Sequence, residues 1–161
     1  MSVIAGKVYA DKIVIAADSI VIRGWSKKTN FSKLLQVNDM IIGGVGDATE
    51  FSLFIRFAQT HKPETANEKD ILAFIVEFSK WKNDYKSGTL ENAYLLIFNK
   101  HLFSIEGIYV QEINEYEAFG AGEDYANAAM YLGHTPKEAV KAACELCCFV
   151  AEPIVEYEIE R

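Results

Sequence analysis

Cysteine and proline are both scarce in this chain, with three of each in 161 residues. The cysteines sit together at Cys144, Cys147 and Cys148, so they form no spaced disulfide framework, and a cytoplasmic setting is expected. At i, i+3 and i+4 they share a helix face with no fourth ligand nearby. Buried packing rather than a metal site is the expectation. No apolar run reaches the roughly 20 residues that a membrane-spanning helix requires. The apolar start lacks a basic opening and is interrupted by Lys7, so it does not read as a signal peptide. Lys and Arg number 16 against 23 Asp and Glu, a net charge of −7, which disfavours nucleic acid and anionic membrane surfaces as partners. The three histidines, His61, His101 and His134, fall at loop or helix-end positions, where none pairs with a serine nucleophile. The glycines of GGVG and GAGE lack the Lys-Ser/Thr ending or the dinucleotide fingerprint, so no nucleotide cofactor is implied.

Half of the residues are hydrophobic and 12% are aromatic, which argues against disorder and for one domain spanning residues 1–161. The first nineteen residues hold two apolar runs, VIAGKVYA and KIVIAAD, hinged at Ala10-Asp11-Lys12. They read as a hairpin whose second strand is buried on both faces. SIVIRGWSKKTN gives a short strand turning at Gly24 into a polar loop around Trp25. FSKLLQV and MIIGGV follow as strands about a turn at Asn38-Asp39. Hairpin logic joins the strands of the first 46 residues into one antiparallel sheet.

Asp47 to Glu50 and Thr65 to Glu68 have the spacing of capping boxes, each opening a helix. Phe51, Phe54, Ile55 and Ala58 repeat at helical spacing in the first, and Ile71, Phe74, Ile75, Phe78 and Trp81 in the second. AYLLIFN, HLFSIEG, IYVQEI and YEAFGAG predict a second antiparallel sheet. A helix follows Gly122, and Thr135-Pro136 with Glu138 starts another that runs toward Pro153. IVEYEIE alternates as a half-exposed edge strand does. Two sheets, each needing a cover, give an α+β fold in four layers, an αββα sandwich.

Loss of Met1 makes Ser2 the first residue, with a hydroxyl and a free α-amine on one carbon skeleton; a retained Met1 blocks it. A free α-amine has a pKa of roughly 8 and can take the hydroxyl proton near neutral pH. Asp18 ends an apolar strand, so its carboxylate must be paired; Lys33 is the natural partner, in a structural ion pair or in one that also lowers the cost of an alkoxide at Ser2. Gly46 and Asp47 open the first helix, where an amide can donate to an oxyanion with the helix dipole behind it. Ile20, Val21 and Ile22, with Val45, either are simply core or offer an edge to an extended peptide, with Val45 and Ile20 as its first apolar pocket.

IVIAADS, with Ser2 sixteen positions before Asp18, resembles the opening of the proteasome β-subunit and HslV-like family of amino-terminal-nucleophile hydrolases. The order of strands and helices extends the resemblance over nearly the whole chain. It implies a peptidase in which Ser2 stands for the family's threonine, Asp18 and Lys33 for its acidic and basic residues, and the Gly46 amide for its oxyanion donor. It also implies a ring homo-oligomer acting on polypeptide, with an AAA+ unfoldase as a possible partner and no cofactor. Two departures stand out. GGVGDATE is one glycine short of the family's pair, and Ala121 replaces the serine of its Gly-Ser-Gly. These support an alternative, a catalytically silent ring-forming subunit on the same fold. A hydrolase of small amides would use the same site with a different pocket.

Overall fold

The computed structural model describes residues 2–24 and 26–161; Met1 and Trp25, and with them the expected loss of Met1 and the Trp25 loop, lie outside the described residues. The chain opens with β1 (Val3–Val8) and β2 (Lys12–Ala17), then β3 (Val21–Arg23), β4 (Ser26–Lys28), β5 (Leu34–Val37) and β6 (Met40–Val45). Helices α1 (Ala48–Ala58) and α2 (Glu68–Lys82) follow, then β7 (Ala93–Phe98), β8 (His101–Glu106), β9 (Tyr109–Ile113) and β10 (Tyr116–Gly120). The chain closes with α3 (Glu123–Tyr131), α4 (Pro136–Leu146) and β11 (Val155–Glu160).

Strand alternation sorts the core into layers. In β1, Ile4 points between the sheets while Val3 and Ala5 face α3 and α4. In β7, Leu95 and Ile97 point between the sheets while Tyr94, Leu96 and Phe98 face α1 and α2. Every second side chain thus enters a different apolar layer, as the period of two requires. Three layers of core separate four layers of structure in the order helices, sheet, sheet, helices. This is the αββα sandwich.

Sheet membership differs from the hairpin expectation. The strands of the first 46 residues do not form one sheet. β1 and β2 pair with each other, but β10 takes the free edge of β1 and β11 that of β2, giving the order β10-β1-β2-β11. β5 and β6 belong to the facing sheet, β5-β6-β7-β8-β9. Both edges of the first hairpin are occupied, so the chain crosses at residues 18–20 and starts a second sheet. Ser26–Lys28, read as loop, pairs back on β3 as a two-stranded ribbon.

Local signals also moved. Asp47 caps α1 by accepting the Glu50 N–H, but Glu50 does not reach back; its carboxylate is fully buried. The cap of α2 is Asn67, not Thr65, whose hydroxyl binds the Asp70 carboxylate instead. The Thr135–Glu138 box is present in full. Helix α4 stops at Leu146, well before Pro153, with Cys147 as its cap. The cysteines are therefore not core residues: Cys144 and Cys147 are half-buried and Cys148 is exposed. The buried stripe of α4 is Ala139, Val140 and Ala143. Among the described residues no helix is long and apolar enough to cross a membrane.

Candidate active site

β2 delivers Asp18. The strand is buried almost throughout, so the carboxylate that follows it is withdrawn from water and must be paired. Asp18 Oδ1 accepts Lys33 Nζ at 2.7 Å and the Val3 N–H at 2.9 Å; Oδ2 accepts the Ile20 N–H at 3.2 Å. Lys33 lies one residue before β5, not within it, and its carbonyl accepts the Gly44 N–H of β6 at 3.0 Å. Its side chain is only 4% exposed. Burial pushes its pKa below the ordinary 10.5, and the Asp18 carboxylate opposes that fall.

Ser2 immediately precedes β1 and is buried. Both polar groups of the Ser2–Val3 peptide are held: the Ser2 carbonyl accepts the Gly122 N–H at 3.3 Å, and the Val3 N–H donates to Asp18. The carboxylate that orients Lys33 therefore also fixes the backbone at Ser2.

Gly46 follows β6 at φ +125°, a conformation that favours glycine, and a Cβ there would lie 2.2 Å from Asn92 Oδ1. Asp47 follows as the cap of α1. Its carboxylate accepts the Glu50 N–H at 2.8 Å and Lys86 Nζ at 3.2 Å. The Glu50 amide and, after it, the Lys86 ammonium hold the acid below the ordinary 3.8. The Asp47 N–H donates to Asn92 Oδ1 at 2.6 Å. With that amide engaged, Gly46 is the candidate oxyanion donor at the helix start.

Ser2, Lys33 and Gly46 line one cavity, joined by Asp47 and by the apolar Ile20, Val21, Ile22 and Val45. Asp18 does not line it and acts from behind Lys33. Sequence reasoning missed Phe31, Phe51 and Asn92, which line it too. Phe51 was visible only as part of the α1 stripe; its ring lies where a Cβ on Gly44 would come within 2.5 Å. Asn92 carries no local signal, since its role depends on β7 pairing with β6. Ala121 and Glu152 are both exposed, and the Ala121 carbonyl lies 3.4 Å from Cys147 Sγ. The histidines are engaged elsewhere: His61 stacks on Phe57, His101 contacts Glu112, and His134 lies near Glu138. Among the described residues, no group of three or more His, Cys, Asp or Glu could hold a metal ion.

No protein-family model matches the chain. The ATP-dependent protease subunit HslV of Campylobacter hominis is 28% identical over 145 residues, covering 81% of this chain and 78% of the relative. The solved structure of Thiobacillus denitrificans BPH in complex with epoxomicin superposes with a TM-score of 0.89 at 20% identity, covering 98% of each chain. Eukaryotic HslV from Trypanosoma brucei superposes with a TM-score of 0.75 at 19% identity, covering 99% of each. Two facing antiparallel sheets between helix pairs are the architecture these structures share with this chain, which therefore has the fold of HslV and is similar to it in sequence.

Proposed function

We propose that this protein hydrolyses peptide bonds with Ser2 as an amino-terminal nucleophile, once processing leaves Ser2 as the first residue. The observation that carries the reading is the convergence of Ser2, Lys33 and Gly46 on one cavity, with Asp18 bonded to both Lys33 and the Val3 amide. Ser2 Oγ adds to the carbonyl carbon of the substrate while its proton passes to the α-amine, directly or through a water. The carbonyl oxygen becomes an oxyanion and accepts the Gly46 N–H. The ammonium of Lys33 favours negative charge on Ser2 Oγ and in the transition state. Collapse of the adduct breaks the C–N bond, and the leaving nitrogen takes the proton from the α-amine. Water then hydrolyses the Ser2 ester. An extended peptide lies against Ile20–Ile22, and Val45 with Ile20 receives one apolar side chain.

The assembly is part of the proposal: a ring of identical subunits in the cytoplasm, fed polypeptide by an ATP-driven unfoldase. The Campylobacter relative, named as an ATP-dependent protease subunit, supports it. A second reading, a silent ring-forming subunit, is favoured by Ala121, which offers no hydroxyl beside the chain start.

Epoxomicin, with which the Thiobacillus protein has been solved in complex, is the probe. Its epoxyketone can react with a hydroxyl and an amine on one residue. Protein with a free Ser2 is expected to gain the mass of one inhibitor, and Ser2→Ala to gain none. Free-Ser2 protein that stays unlabelled and cleaves no peptide favours the silent subunit.

A further inference from the structure

The cavity rests on a buried polar assembly that the proposed chemistry does not itself use. Glu50 is completely buried in α1. Its carboxylate accepts Lys82 Nζ at 2.9 Å, the Tyr94 hydroxyl at 3.0 Å, the Asn92 N–H at 3.0 Å and the Glu91 N–H at 3.1 Å. These donors come from the last turn of α2 and from the chain entering β7. A carboxylate with so many donors holds residues 91–94 rigidly against α1. Asn92, only 2% exposed, is the outlet of this assembly toward the cavity. Its Oδ1 accepts the Asp47 N–H at 2.6 Å and its Nδ2 donates to the Asp47 carbonyl at 2.9 Å. One side chain thus grips both backbone polar groups of Asp47, immediately after Gly46. The same Oδ1 lies where a Cβ on Gly46 would stand, so the two residues are in close contact.

We propose that Asn92 is a positioning residue for the oxyanion donor: it sets the plane of the Gly46–Asp47 peptide and thereby the direction of the neighbouring Gly46 N–H. The proposal rests on the hydrolase reading above for its catalytic consequence, but the clamp itself does not. Asn92 touches no reacting atom. It occupies the Asp47 N–H, so that amide does not compete for the oxyanion, and it holds Gly46 at its positive φ. Glu50 acts one step further back, by fixing the backbone from which Asn92 projects.

The test compares free-Ser2 wild type with Asn92→Ala and Asn92→Ser, whose hydroxyl is too short to reach both groups. Two quantities are read: hydrogen exchange at the Asp47 amide by NMR, and epoxomicin inactivation resolved into its limiting rate and its half-saturating concentration. Expected are faster Asp47 exchange, a limiting rate about tenfold or more lower, in keeping with a displaced oxyanion donor, and a half-saturating concentration within about twofold. A limiting rate within twofold of wild type in folded variants overturns the positioning role. If wild type is never labelled, the hydrolase reading fails, and exchange then judges the clamp alone: faster exchange supports it and unchanged exchange overturns it.

Discussion

Asp18 Oδ1 accepts the N–H of Val3 at 2.9 Å, and the same oxygen holds Lys33 Nζ at 2.7 Å. One carboxylate therefore ties the residue after Ser2 to the cation that shares its cavity. Register supports this geometry, because Ile4 pairs with Ala17 in β2 and brings Val3 beside Asp18. Residues 3–8 are part of the core sheet, and Ser2 is held at its edge.

Asp18→Ala should be severe. It leaves Lys33 buried without a counter-charge and two backbone amides without acceptors. A buried pair broken from one side costs about 3–5 kcal/mol. Urea unfolding of Asp18→Ala is expected to show a loss of that order; a loss below about 1 kcal/mol would mean that water or another carboxylate reaches Lys33.

Lys33→Ala should separate chemistry from folding. It too breaks a buried pair from one side and should cost stability, but Asp18 would keep the Val3 and Ile20 amides as donors; the folded fraction of the variant is expected to show no epoxomicin labelling and no peptide turnover. The pH dependence follows from the lowered pKa of Lys33. Between its folded value and 10.5, the folded chain binds fewer protons than the unfolded one, so stability contributed by this group rises with pH in that window. Charge at the site is lost over the same window. The labelling rate is therefore expected to fall on an alkaline limb centred below 10.5, while stability does not fall with it. A rate that holds to 10.5 and above removes the ammonium from the chemistry.

These residues also mark how far the sequence could be read. The apolar run before Asp18 required a buried, paired carboxylate, and the amphipathic stripes and the Thr135–Glu138 box are local, so each was legible. Sheet partnership is not local. Nothing within residues 1–46 says that β10 and β11 occupy both edges of the first hairpin and send β5 and β6 to another sheet. Glu50 illustrates the same limit. Three positions after an N-cap, it has the spacing of a box residue, yet donors from residues 82, 91, 92 and 94 draw it inward. The motif was correct for Asp47 and wrong for Glu50, because tertiary partners outcompete one exposed amide.

The Glu50–Lys82 pair should behave as a unit. Lys82→Met leaves a fully buried carboxylate with neutral donors only, and a loss of about 3–5 kcal/mol is expected on unfolding. Glu50→Gln with Lys82→Met removes both charges and keeps similar volumes, so the double variant should be more stable than Lys82→Met alone. Denaturation of the two single variants and the double variant measures this; strict additivity would mean that the two charges do not compensate each other in the fold.

Gly120 offers a test of whether the placement of Ser2 matters apart from its chemistry. It ends β10 opposite Val3 at φ +107°, and a Cβ there would lie 2.3 Å from the Ser2 carbonyl oxygen. That contact is with backbone, so Gly120→Ala must move the Ser2–Val3 peptide as well as strain its own φ. Gly133 is a matched control, at φ +100° with nothing within 4 Å of its added Cβ. Gly133→Ala meets only backbone strain, about 1–3 kcal/mol, and leaves the chain start untouched. Gly120→Ala is expected to destabilise the fold by more than Gly133→Ala and to slow epoxomicin labelling of Ser2 at least tenfold, a loss in line with misaligned reacting groups. Gly133→Ala should label at the wild-type rate. Equal labelling of the two variants would show that the Ser2–Val3 peptide can shift without cost to the reaction, and the anchored chain start would then belong to stability alone.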